Sequence, residues 1–317
     1  MRSIITIAAV LFLSGCQQSQ QSQESITGKS TILTNYEDAQ KQKLIKSEIT
    51  SAEHSERFKA KYNELFGGQK LEFAKYDDKV LKELWLASYM MASYTLGQEY
   101  VQQMESIFNN LKRRGIEGEC FEGPCVDDLF SIYLRSSDFS KARQLAQQYP
   151  AIRTGYVPDI NEDASVLHKP YRLYKISPDG KSLNLISTHI DEKKQIIALM
   201  NPECHFAQQA MDAISATPDL KDYFEKHALI VYPVYSSIAG IAKTAEWNKK
   251  NPKLEYFVYL NKNGLREDWK QYDLKALTDF YFLKNNRIVY RIPGWGPSKK
   301  EFIAEMRNAI NKLNSGI

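Results

Sequence analysis

The sequence predicts an α + α/β protein, with a helical amino-terminal domain over residues 36–150 and an α/β domain over residues 171–317. Three observations carry this. Between Tyr36 and Tyr149 apolar residues recur at three- and four-residue spacing, the period of one helix face. From Tyr171 onward short apolar runs alternate with helical patterns. Between the two, "YPAIRTGYVPDINEDASVLHKP" carries three prolines and no clean period, so residues 151–170 read as a linker or wrapping segment.

The amino terminus belongs to neither domain. "MRSIITIAAVLFLSGCQQ" has one basic residue, Arg2, then an apolar stretch from Ile4 to Leu13 that is too short to span a bilayer permanently. Its end, Leu13-Ser14-Gly15-Cys16, resembles the bacterial lipobox, in which the signal peptide is cut before the cysteine and that thiol carries lipid. The alternative is an ordinary secretory signal cut near a cysteine. The lipobox resemblance implies a signal peptide over residues 1–15, lipidation of Cys16 and membrane attachment through an N-terminal lipid anchor. Gln17 rather than Asp at the next position implies, in a two-membrane cell, an outer membrane lipoprotein whose body faces the periplasm. Residues 17–30, "QQSQQSQESITGKS", are too poor in apolar side chains to offset their chain entropy, and residues 16–35 read as a tether. As a flexible coil it reaches roughly 20 Å.

In the helical domain one pattern runs through Ile45, Ile49, Phe58, Tyr62 and Leu65 and stops at Gly67-Gly68. A second runs from Asp77 through Leu81, Leu84, Trp85, Met91 and Tyr94, continues past Gly97 to Leu111 and ends at Gly115. A third, "CVDDLFSIYLRSSDFSKARQLAQQYP", resembles part of a tetratricopeptide (TPR-like) hairpin, two amphipathic halves about a Ser-Ser-Asp turn. Two readings stand for this domain, a binding surface or a support for the second domain.

The second domain reads as strands at "YRLYKIS", "LNLIS" and "KQIIALM", a helix from 203 to about 216, and a further helical segment from Asp219 to His227. There follow a strand at "ALIVYPVY", a helix from Ile238 to Lys250 and a strand candidate at "LEYFVYL". "DFYFLKNNRIVYRI" reads as two strands joined by a tight turn at Asn285-Asn286, and a last helix runs from Ser298 to about Leu313. Stripped to strand, cysteine helix, strand, helix, hairpin and helix, this order is similar to the thioredoxin fold. So is "WKQYDLKALTDFYFLKNNRIVYRIPGW", which runs like the thioredoxin segment through the cis-proline loop and a Lys-Asn hairpin to Gly-Trp. The resemblance covers about the last 150 residues and implies a three-layer α/β domain. It departs from the family twice: Cys204-His205-Phe206-Ala207 replaces Cys-x-x-Cys, and Thr278 stands at the cis-proline position.

A thiolate at a helix amino terminus is stabilised by unpaired backbone donors and the helix dipole, and a protonated imidazole adds to this. Cys204 is therefore a candidate nucleophile, His205 a candidate for tuning it, and Thr278 a candidate for positioning a substrate. Lacking a partner three residues on, Cys204 cannot close an internal disulfide, so mixed-disulfide exchange is the chemistry left to it. The competing reading is a cysteine that merely packs at a strand end. Cys120 and Cys125, in "GECFEGPCVDD", read as a structural bridge or, alternatively, as a remote pair that exchanges with Cys204.

Other chemistries find no support in the residues. Formal charge is only +4 with both signs interspersed, which excludes a broad nucleic-acid footprint. Ile197 and Asn201 stand where a peroxiredoxin-like peroxidase carries Pro and Thr. His168, His189 and His227 are scattered singly, so no metal is expected, and no phosphate loop or serine elbow calls for a cofactor. Tyr235 and Trp295 either line a groove near Cys204 or belong to the core, and Pro293-Gly294 reads as a strand end. The expectation is a membrane-anchored lipoprotein acting on periplasmic protein partners by monothiol exchange. The alternative is a redox-silent docking module of an envelope or conjugative-transfer machine.

Overall fold

A computed structural model describes residues 26, 28–43, 51–67, 71–120, 123–150, 152, 157–188, 190, 195–233, 239–261, 266–274 and 278–315. Cys16, the signal peptide, His189 and Tyr235 lie outside these residues. The chain divides into two compact units after Ile132.

The described residues of the first unit are helices and connections. Helix α1 spans 28–43 and so begins inside the segment read as tether. Ile26, Ser30 and Leu33 are buried, and the hydroxyl of Ser30 donates to the carbonyl of Glu83 at 3.4 Å. The tether boundary at 35 is therefore corrected: Ile26 and Leu33, one heptad apart, supply an apolar anchor that the Gln/Ser composition hides. Helix α2 (Ser51–Phe66) is followed by a 3₁₀ turn, then α3 (Asp78–Thr95) and α4 (Gln98–Arg114). Asp77 caps α3 by accepting from the backbone N–H of Val80 at 2.9 Å.

The pattern that runs past Gly97 is broken in the structure. Leu96 turns into the left-handed region at φ 55° and Gly97 becomes the N-cap of α4. Unbroken apolar spacing cannot register a two-residue turn that leaves both helix faces on one core. That core holds Leu81, Leu84, Trp85, Met91, Met104, Ile107 and Leu111, with the rings of Trp85 and Phe108 6.2 Å apart. Gly115, at φ 71°, ends α4 in a Schellman arrangement: Ile116 N–H reaches Leu111 C=O and Gly115 N–H reaches Lys112 C=O.

Helices α5 (Cys125–Arg135) and α6 (Phe139–Gln148) follow. They are joined as the sequence predicts, through Ser137 at φ 60° and an Asp138 cap on Lys141 N–H at 3.1 Å. The division after Ile132 falls within α5, whereas the sequence reading put the boundary at 150.

The second unit is built on one mixed, eight-stranded sheet of order β1-β3-β2-β6-β5-β4-β7-β8. Its strands are β1 (Asp159–Asn161), β2 (Arg172–Ile176), β3 (Ser182–Ser187), β4 (Ile196–Met200), β5 (Ala228–Pro233), β6 (Tyr256–Tyr259), β7 (Thr278–Lys284) and β8 (Arg287–Pro293). β1 lies in the segment read as linker and pairs in parallel with β3; three residues are too few to show a period. β4, β5 and β6 are parallel, and β7 and β8 return antiparallel. Asn285 and Asn286, at φ 49° and 60°, make the β7–β8 turn.

The helices of this unit are α7 (His205–Ser215), α8 (Pro218–His227), α9 (Ala239–Lys250), α10 (Arg266–Trp269) and α11 (Lys299–Ser315). Register tells which face each one covers. Tyr256, Ile230, Ala198 and Phe280 are paired in one row and so share a face. Onto that row pack Trp247 of α9, Phe224 of α8 and Phe302 of α11, at ring distances of 5.9, 6.2 and 5.6 Å.

On the other face Tyr281 and Tyr259 meet Tyr272 and Trp269, at 5.1 and 6.5 Å. The layers are thus unequal: the longer helices after β4 share one face, and α10 lies on the other. The cause is topological. Two right-handed crossovers taken in the same direction, β4 to β5 and β5 to β6, must place their helices on the same side.

At the outer edge, Phe282 faces Tyr290 while Leu283 faces Ile288. Val289 is thus an extra residue, a β-bulge, and is 52 % exposed.

Candidate functional site

The site forms where β4 hands over to α7. All five residues of β4 are buried, because it lies between β5 and β7 with both faces covered. Asn201 then turns the chain: its side-chain oxygen accepts from Glu203 N–H at 2.9 Å and its carbonyl accepts from Cys204 N–H at 2.9 Å. Cys204 is the N-cap of α7, with extended backbone at φ −78° and ψ 123°, and its carbonyl accepts the first helical bond, from Gln208 N–H at 3.0 Å. The Gln208 side chain reaches back to the carbonyl of Pro202 at 2.7 Å and fixes the turn.

The Cys204 side chain makes no cap bond to its helix. Its sulfur, half-buried, instead accepts from the hydroxyl of Thr278 at 3.8 Å, within the reach of a hydrogen bond to sulfur. Thr278 opens β7 opposite Met200, the last residue of β4, and is 8 % exposed. The structure therefore brings Cys204 and Thr278 together. Thr278 meets the thiol through its side chain; its backbone carbonyl already accepts from Gly294 N–H at 3.0 Å, so that oxygen is not open for pairing with a substrate strand. Leu277, before it, lies outside the described residues.

His205 is not brought onto the sulfur. It is the first residue of α7, exposed, with its ring 5.7 Å from that of Phe206, and no hydrogen bond joins it to Cys204 among the described residues. Phe206 is itself 54 % exposed. Ala207, where a resolving thiol would stand, is fully buried under the helix.

Three residues behind the site were not found in the sequence. Asp279, next to Thr278 but pointing to the other face, is buried. It receives Arg291 Nε at 2.9 and 3.1 Å, Arg291 Nη2 at 2.6 Å and the Tyr281 hydroxyl at 2.7 Å. Burial raises the Asp279 carboxyl above the ordinary carboxylate range despite these donors, and its hydrogen bonds raise the Arg291 guanidinium further. Asp279 and Tyr281 share a face of β7, but only the β7–β8 register brings Arg291 beside them, so sequence spacing held no signal for the cluster.

Cys120 and Cys125 are bridged, with Cα atoms 5.0 Å apart. Trp295 packs on Phe302 of α11 at 4.8 Å, which makes it a packing residue. Among the described residues no group of three or more His, Cys, Asp or Glu is placed to hold a metal ion, and no helix is long and apolar enough to cross a membrane. No protein-family model, curated protein or solved structure matches the chain.

Proposed function

We propose that the second unit is a thioredoxin-like domain acting on protein partners by monothiol exchange through Cys204, carried at the periplasmic side of the outer membrane by lipid on Cys16. The observation that carries this reading is the placement of the Cys204 sulfur: half-exposed at a helix N-cap, unbridged, and faced by the Thr278 hydroxyl. The Thr278 hydroxyl donates to that sulfur and holds it at the mouth of α7, where a partner disulfide can approach it.

The step balances without an added oxidant. The Cys204 thiolate attacks one sulfur of a partner disulfide, that S–S bond breaks, a Cys204–partner disulfide forms, and the second partner sulfur leaves as a thiolate. A partner thiol then attacks the mixed disulfide, forms a new partner disulfide and frees Cys204, so the partner's bridges are rearranged with no net oxidation. With Ala207 in place of a resolving cysteine, the mixed disulfide persists until the partner resolves it.

The test is to trap such species in cells on non-reducing gels, with Cys204→Ser as control. Partner-linked bands that vanish in Cys204→Ser are expected; their absence, with Cys204 inert to alkylation in the folded protein, would sink the reading. That result would favour a redox-silent docking module, for which the exposed Phe206 is the specific observation.

A further inference from the structure

The other sulfur pair is unequal in a way that assigns it chemistry of its own. Cys125 is fully buried as the first residue of α5, whereas Cys120 is half-exposed and lines a cleft in the helical unit. The cleft has a volume of about 360 Å³ and is walled by Thr34 and Asn35 of α1 and by Lys82, Glu83 and Leu86 of α3. That volume falls at the lower end of the roughly 300–1,000 Å³ typical of small-ligand sites. Lys82 and Glu83 put opposite charges on one wall, and neither has an ion-pair partner among the described residues. Two backbone bonds hold the bridge region apart from the S–S bond, Cys120 N–H to Gly123 C=O at 2.7 Å and Cys125 N–H to Glu117 C=O at 3.1 Å.

We propose that Cys120 is a thiolation site for a small zwitterionic thiol that binds this cleft. The incoming thiolate attacks the Cys120 sulfur, the only sulfur of the pair it can reach. The Cys120–Cys125 bond breaks, a bond between the small thiol and Cys120 forms, and Cys125 leaves as a thiolate that takes up a proton. The dipole of α5 favours that leaving group, against the Asp127 and Asp128 carboxylates in the same turn. The carboxylate and ammonium groups of the ligand find Lys82 and Glu83, while Asn35 and the Thr34 hydroxyl complete a polar wall. Return attack by Cys125 expels the small thiol and restores the bridge, so the site is reversible. Nothing in this sequence of steps requires Cys204.

The test uses the full chain carrying Cys204→Ser, so that a failure here says nothing about exchange at Cys204. The protein is incubated with glutathione or with the uncharged 2-mercaptoethanol, the reaction is quenched in acid, and adducts are located by peptide mass spectrometry. A glutathione adduct confined to Cys120 is expected. Lys82→Ala should lower the ratio of the glutathione rate to the mercaptoethanol rate by about threefold, the scale of one exposed charge contact. An adduct on Cys125, equal adducts on both sulfurs, no adduct on the folded protein, or an unchanged rate ratio in Lys82→Ala would each overturn the proposal.

Discussion

Two helices of this protein begin at a cysteine, and the two sulfurs differ in almost every other respect. Cys125, in the first turn of α5, is fully buried and bridged to Cys120. Cys204, at the N-cap of α7, is half-exposed and unbridged, and meets a hydroxyl from a strand on the far side of β4. The helix dipole is common to both, so it does not decide what either sulfur does. Burial and the group on the other side of the sulfur decide it. At α5 that group is another sulfur, and the result is a covalent staple. At α7 it is Thr278, and the sulfur stays available.

The comparison can be broken most forcefully by removing each sulfur in turn. Replacing both Cys120 and Cys125 by Ser should cost about 2 kcal/mol, because the bridge closes only a short loop in the unfolded chain. Cys204→Ser should fall within about 0.5 kcal/mol of the parent. Urea denaturation followed by circular dichroism measures both, and equal losses would mean that Cys204 is as structural as the staple.

A smaller effect sharpens the α7 side. Thr278→Val deletes the hydroxyl at nearly constant volume, with an expected stability change of about 1 kcal/mol or less. Alkylation of Cys204 in the folded protein should change in rate, because the hydroxyl that positions the sulfur is lost, and Thr278→Ser should restore the parent rate. A rate indifferent to all three residues would show that the contact does not act on the sulfur.

The smallest effect lies one helix further on. Asp219, in the first turn of α8, receives both Nε and Nη2 of Arg307 from α11, at 2.8 and 2.9 Å, and the guanidinium holds its carboxyl below the ordinary aspartate range. A depressed carboxyl stabilises the fold above the pH at which the unfolded group titrates, and loses that contribution as pH falls through its lowered value. Asp219→Asn should therefore narrow the gap to the parent as melting is followed from neutral pH to below about pH 4. A gap that stays constant would rule out the pair as its source.

How much of this was legible follows from the range of each interaction. The Asn285-Asn286 turn, the Asp138 cap and the opening of α7 at Cys204 are set by residues within a few positions of one another, and the sequence carries them openly. So does β4, as an unbroken apolar run. The break at Leu96-Gly97 was hidden because both helices keep the same apolar spacing, and the start of α1 was hidden because two apolar residues stand among glutamines and serines. Resemblance to a family put Thr278 in a loop that positions substrate; its hydroxyl bond to Cys204, across 74 residues, was not foreseen from spacing. Arg291 meets Asp279 and Tyr281 only through strand register, which a single sequence does not spell out. The layer arrangement needed the strand order, and with it the direction of both crossovers, before handedness could place the helices.

The outer strands of the sheet bear on how crowded copies of this chain behave. β8 is kinked by the extra Val289, and β1, the opposite margin, offers three residues. Neither gives a neighbouring molecule the long flat row of donors and acceptors that lets strands zip together side by side. Such ragged margins let copies that collide edge to edge separate again, because polymerisation finds no template.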